Sequence, residues 1–131
     1  MAQNTNPVFA QTPYLTGITV TGSYTDRTGV TAGLLTVYTA GASGSKVTQL
    51  IAKGQATTNS GSVLFFITDT ASANPRLFDE ILITVATSSN TTPTFRVANS
   101  YADLQLAPGQ LIKTGITTGN TCSVFAQGGD F

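Results

Sequence analysis

The chain has 131 residues, and its six acidic and six basic residues cancel to a formal net charge of zero at pH 7. This length fits a single domain with one core. Only 9% of the residues are charged, against about 25% in a typical soluble domain, and the basic residues are scattered singly, which argues against nucleic acid as a partner.

The first segment of the chain, residues 1–13, is predicted to be an extended N-terminal arm that precedes a single β-sandwich domain over residues 14–131. The arm is polar apart from an anchor formed by Pro7, Val8 and Phe9, and Pro13 disfavours both a helix and a central strand. Its start lacks the basic and apolar stretches of a secretion signal, and no later apolar run approaches ~18 residues. We therefore expect synthesis in the cytoplasm and no membrane partner.

The rest of the chain alternates apolar and polar residues in short runs, which predicts about eight short antiparallel strands. Ile18 and Val20 alternate with threonine in the first strand, and the same period places Val47 and Ile51 on one face of the third. Turn residues separate the runs, and residues 41–46 are expected to form a hairpin turn. The predicted strands lie around 18–20, 35–37 and 47–51, and over 62–69, 76–86, 94–98, 110–114 and 121–127. This pattern indicates an all-β fold, either a β-sandwich or a jelly-roll-like barrel.

Two segments, residues 63–67 and 76–86, are apolar on both faces, whereas a strand of a two-layer sandwich normally has one solvated face. The second face of the first segment carries Leu64 and Phe66. Either a loop or arm of the same chain covers it, or a neighbouring subunit does, and both alternatives remain open. Since the charge is too sparse to oppose association, we expect a homo-oligomer, most simply a homotrimer. The candidate interface residues are Pro7, Val8, Phe9, Leu64 and Phe66.

The interior of the domain is expected to depend on Phe65, Ile81, Ile83 and Val124. The one cysteine, Cys122, excludes an internal disulfide. It shares a strand face with Val124 and lacks an electropositive neighbourhood, so it is expected to be an inert buried thiol.

The residues needed for ordinary catalysis are missing from this sequence. It contains no histidine, which removes the commonest general base and most zinc and iron sites. Asp79 and Glu80 are neighbours in a predicted strand, so their side chains point to opposite faces and cannot act as a pair. We therefore expect no catalytic, cofactor-binding or metal-binding residues and no small-molecule substrate.

Five segments carry a family resemblance. They are Pro7-Val8-Phe9 after a polar start, Val-Tyr-Thr-Ala-Gly-Ala-x-Gly-Ser (37–45), the pair 63–67 and 76–81, Leu-x-Pro-Gly (106–109) followed by Leu111-Ile112, and the closing Val-Phe-Ala-x-Gly-Gly-Asp-Phe (124–131). Together they span nearly the whole chain and resemble small β-rich proteins encoded in the structural gene clusters of tailed phages and prophages.

The resemblance implies a head decoration, or cement, subunit that binds the major capsid protein on the outer surface of the virion, often as a trimer. Synthesis would then take place in the host cytoplasm. The alternative is a tail or fibre module that binds a host-surface carbohydrate or another tail protein. A carbohydrate site would need exposed aromatic platforms, for which Tyr24, Tyr38 and Tyr101 are available.

Overall fold

The computed structural model describes residues 12–131, which form two four-stranded antiparallel sheets and no α-helix. The all-β prediction and the expected set of eight strands are confirmed. The strands are β1 (Thr12–Thr21), β2 (Leu35–Thr39), β3 (Ser45–Gly54), β4 (Gly61–Thr68), β5 (Arg76–Ile83), β6 (Arg96–Leu106), β7 (Leu111–Ile116) and β8 (Thr121–Asp130), with a 3₁₀ turn at Thr70–Ser72.

The strand order is β1-β8-β3-β6 in the first sheet and β2-β7-β4-β5 in the second. The first strand pairs with the last, the second with the seventh, the third with the sixth and the fourth with the fifth. Such nested pairing arises when one long two-stranded ribbon folds over on itself, and it is the strand arrangement of a jelly roll. Both sheets remain open at their edges, so the fold is a sandwich and not a closed barrel.

Most turns of this domain carry the chain from one sheet to the other. Among the described strands, only β4 and β5 are both consecutive and paired. Residues 41–44 do form a tight turn, in which the Gly44 amide donates to the Gly41 carbonyl at 3.0 Å. However, the expected hairpin is wrong, because this turn joins β2 and β3, which lie in opposite sheets.

The core lies between the sheets and contains the side chains that the alternation assigned to it. Phe65, Ile81, Ile83 and Val124 are at most 1% exposed and belong to one apolar cluster. Cys122 is buried beside them, and this burial raises the pKa of its thiol. The prediction of a buried thiol is therefore confirmed.

One strand departs from simple alternation. The register of β3 shifts between Val47 and Gln49 against both neighbouring strands. Because one extra residue reverses the faces beyond it, Val47 and Leu50 face the core, while Ile51 lies opposite Phe125 on the outer face. The expectation that Val47 and Ile51 share a face is wrong for this reason.

The domain begins earlier than the sequence suggested. β1 starts at Thr12, and Thr12 and Pro13 pair with Asp130 and Gly129 of β8. Pro13 sits near the start of an edge strand, a position that tolerates a missing amide donor. These two residues therefore belong to the sheet and not to the arm.

Candidate interaction surfaces

Of the five interface residues predicted from the sequence, the structure describes two, Leu64 and Phe66. Leu64 and Phe66 have no exposed surface. They form a small second cluster with Tyr24 and the partly buried Leu34, both of which precede β2. A loop of the same chain therefore covers this face, and the assignment of Leu64 and Phe66 to an intersubunit interface is wrong. Pro7, Val8 and Phe9 lie outside the described residues.

The covering loop, residues 22–34, crosses the outer face of the second sheet and is held there by Tyr24. The ring of Tyr24 meets Phe66 edge-on, with 6.2 Å between ring centroids. Its backbone amide donates to the Ile116 carbonyl, and its hydroxyl donates to the Thr31 carbonyl at 2.6 Å. A Cβ at Gly115 would lie 2.9 Å from the Cβ of Tyr24, so glycine is what lets the loop approach the sheet this closely.

Asp26 organises the far part of the covering loop. Its carboxylate accepts hydrogen bonds from the Thr28 hydroxyl at 2.6 Å, the Thr28 amide at 2.9 Å and the Thr31 amide at 2.8 Å. These donors, the Thr28 hydroxyl first, hold the pKa of Asp26 well below its usual range. The neighbouring Arg27 forms an ion pair with Glu80 and so ties the loop to β5.

We expect Asp26→Ala to loosen the covering loop while leaving the sandwich folded. The amides of Thr28 and Thr31 lose their acceptor, so their hydrogen exchange should accelerate several-fold, and binding of an apolar dye should rise as Leu64 and Phe66 become accessible. Exchange at the buried strand residue Phe65 should not change.

Acid should produce the same effect in the native chain. Because the folded pKa of Asp26 is depressed, its contribution to stability is complete above the unfolded value of about 4 and is lost as the pH falls toward the folded pKa. The matched control for Asp26→Ala is Asp103→Ala, which removes an exposed carboxylate from β6 and should leave the exchange of the Thr28 and Thr31 amides unchanged. Unchanged exchange at Thr28 and Thr31 in Asp26→Ala would contradict this account.

Large apolar side chains are exposed along the side of the second sheet that ends in β5. Leu77 and Leu82 lie on its outer face, opposite Phe66 and Ser62 in the register. Leu82 is 67% exposed, Val85 just after β5 is 68% exposed, and Val30 on the covering loop is 81% exposed. We call Val30, Leu77, Leu82 and Val85 the apolar margin. Sequence patterning shows that residues 76–86 are apolar on both faces but gives no signal that Leu77 and Val85 are exposed.

The polar residues of the β5–β6 edge join the two sheets. Asp79 accepts hydrogen bonds from the Asn99 amide at 2.9 Å and from the Tyr101 hydroxyl. Burial and the Asp79 carboxylate raise the pKa of Tyr101. Glu80 points the other way, to Arg27. The expectation that Asp79 and Glu80 face opposite sides is confirmed.

The three tyrosines considered for a carbohydrate site differ in access. Tyr24 and Tyr38 are buried, so neither can present a flat ring to a sugar. Tyr101 is half-buried and lies beside the partly exposed Phe78, with 5.4 Å between ring centroids. Of the three tyrosines, Tyr101 alone, together with Phe78, presents aromatic surface that a carbohydrate could contact.

A second polar cluster ties the end of β8 to β2 and β3. The Asp130 carboxylate accepts from the hydroxyls of Tyr38 and Ser45, and the Ser45 hydroxyl also accepts from the Gly41 amide at 3.1 Å. The Ser45 and Tyr38 donors lower the pKa of Asp130, whereas burial and Asp130 raise the pKa of Tyr38 to about 12. Tyr14 stacks on Tyr38, with 3.8 Å between centroids.

This cluster is built for structure and not for chemistry. Ser45 has no exposed surface, so no substrate reaches its hydroxyl. Asp130, with a lowered pKa and two hydroxyl donors, is a poor general base. The Asp130 carboxylate instead provides hydrogen-bond acceptors for the Tyr38 and Ser45 hydroxyls, where β1, β2, β3 and β8 meet.

Residues 12–131 contain no helix with the length and apolarity that a membrane crossing requires. Over the same range, no three carboxylate or thiol side chains converge in a way that could hold a metal ion. Comparison of the chain with protein-family models and with curated proteins finds no match.

Proposed function

We propose that this protein is a structural subunit of a tailed-phage particle that decorates the outer capsid by binding the major capsid protein. The observation that carries the proposal is the apolar margin, because large exposed aliphatic side chains on and around one edge strand of a small domain are typical of a protein-binding surface. Leu77 and Leu82 lie in β5, and Val30 lies on the loop that Tyr24 and Asp26 hold in place. These side chains can therefore bind without first being ordered.

The composition of the chain supports the same function. With 9% charged residues and no net charge, the surface neither repels nor attracts a partner at long range. A decoration subunit needs buried area across a capsid joint and no catalytic group. The sequence resemblance to phage structural proteins points to the same partner.

The alternative is a tail or fibre module, and one observation favours it. Phe78 and Tyr101 present aromatic surface beside Asp79 and Asn99, the combination that sugar-binding sites use. However, the hydroxyl of Tyr101 and the amide of Asn99 already donate to Asp79. A sugar would have to displace these bonds, so we rank this function second.

We expect Leu82→Lys combined with Val85→Lys to remove most of the protein from particles assembled with it. Two charges placed on the apolar margin would have to be desolvated at the interface, which should weaken binding ~100-fold or more. The measurement is quantitative mass spectrometry of purified particles. Wild-type protein should be present in hundreds of copies per particle, as a capsid lattice requires.

The matched control is Ala102→Lys, which adds a charge at an exposed position on β6 and should leave the copy number unchanged. Wild-type protein at a few to dozens of copies would instead assign it to the tail. Normal copy numbers in the double variant would exclude the apolar margin as the attachment surface.

A further inference from the structure

The sandwich has four edge strands, and three of them carry features that discourage pairing with another chain. β2 has five residues and a register shift. β5 contains Arg76, Asp79 and Glu80 and is shifted against β4. β6 contains Arg96 and Asp103 and pairs irregularly with β3. Short length, charge and bulges are the usual protection of sheet edges.

β1 has none of these three features, and its one proline, Pro13, lies at the second residue of the strand. It has ten residues, an unbroken register with β8 and no charged side chain. Among the described residues it pairs with β8 alone, so its other side presents unpaired backbone donors and acceptors. A long, regular and neutral edge is the form that pairs with another strand.

We infer that β1 pairs with β1 of a second copy of this chain, antiparallel about a twofold axis, to form a dimer with one continuous sheet. An antiparallel pair of identical strands requires such an axis. Because β1 carries no charge, pairing it with itself brings no like charges together. The inference concerns the purified protein and does not depend on capsid binding.

The side chains of β1 favour a register with Thr16 on the axis. In that register Tyr14 lies opposite Ile18 of the other copy on the inner face, where both side chains are only partly buried in the single chain. Aromatic and β-branched residues directly opposite one another are favourable cross-strand pairs. A second copy would therefore complete the burial of this edge of the core.

The outer face supports the same register. Leu15, which is 62% exposed, would lie opposite Gly17 of the other copy. Gly17 has no side chain, and a Cβ there would overlap the Phe125 ring. A recess of about 220 Å³ borders Gly17 and Phe125. The register thus brings an exposed leucine to a recess beside an aromatic ring.

The test is the mass of the purified full chain in solution. Light scattering should give twice the chain mass of 13.5 kDa at micromolar concentration, and Leu15→Lys should raise the dissociation constant of the dimer about tenfold or more. Ala102→Lys, on the edge strand at the other side of the same sheet, is the matched control and should dimerise normally. Far-UV circular dichroism should be unchanged in both variants, whereas melting should fall only in Leu15→Lys, because the dimer stabilises the folded chain.

Cysteine cross-linking tests the register. Thr16→Cys should form an oxidised covalent dimer, because residues on the axis face each other at the spacing of a cross-strand pair. Thr19→Cys, displaced from the axis, should not. The inference is wrong if the wild-type protein is a monomer or the trimer expected from sequence. It is also wrong if the dimer is insensitive to Leu15→Lys, or if the cysteine at position 19 cross-links and the one at position 16 does not.

Discussion

Replacing Phe65 with alanine should lower the free energy of unfolding by about 3–5 kcal/mol. Phe65 has no exposed surface and lies in β4, between β5 and β7, with its ring in the main core cluster. Its removal leaves a cavity that strands fixed on both sides cannot close. Small domains have a total stability of about 5–15 kcal/mol, so this one change should remove a large part of it.

Chemical denaturation monitored by circular dichroism would measure this loss. Phe78→Ala is the matched control, because it removes the same atoms from a ring that is 39% exposed at the β5 edge. We expect it to cost less than half as much, since water can fill the space that the ring leaves. Equal losses in the two variants would contradict the expectation that the burial of the Phe65 ring makes its removal the more costly change.

The strands could be predicted because local alternation reports burial directly. The sequence predicts that Phe65, Ile81, Ile83 and Val124 lie in the core, and all four are buried in the cluster between the sheets. The same rule failed in β3, where the shift at Val47 reverses the face of Ile51. A bulge depends on pairing with neighbouring strands, and those neighbours are distant in sequence.

The cover over Leu64 and Phe66 could not be predicted for a related reason. The alternation showed that a second face was apolar but carried no information about what lies on it. The cover is Tyr24 in a loop some forty residues earlier, and it fits only because Gly115 leaves room. The polar cluster around Asp130 could not be predicted either, because its members are distant in sequence. Tyr38 and Ser45 are separated from Asp130 by 92 and 85 residues.

The order of the strands in the sheets could not be predicted from local sequence patterns either. Turn residues such as Gly41 and Gly44 mark where the chain reverses but not whether the next strand stays in the same sheet. In this domain most turns change sheets. The nested pairing depends on how the whole chain folds, because it joins strands that are distant in sequence.

Removing residues 2–11 should abolish attachment to particles that lack the protein while leaving the fold nearly unchanged. Both sheets are formed by residues 12–131, so a deletion that stops at Gln11 keeps all of β1 and its register with β8. The deleted segment is polar apart from Pro7, Val8 and Phe9. An arm of this composition suits binding through main-chain hydrogen bonds to a sheet edge, with Phe9 as a single apolar anchor.

Co-sedimentation with particles lacking the protein would measure attachment, and thermal melting would measure the fold. Fixing an arm costs on the order of 1 kcal/mol per residue, so the proposed attachment requires extensive contacts, and Phe9→Ala should weaken binding less than the deletion does. Asn4→Ala, a polar change in the same segment, is the control and should bind normally. If the shortened protein unfolds, residues 2–11 belong to the core of their own domain; if it folds and still attaches, the apolar margin alone carries the attachment.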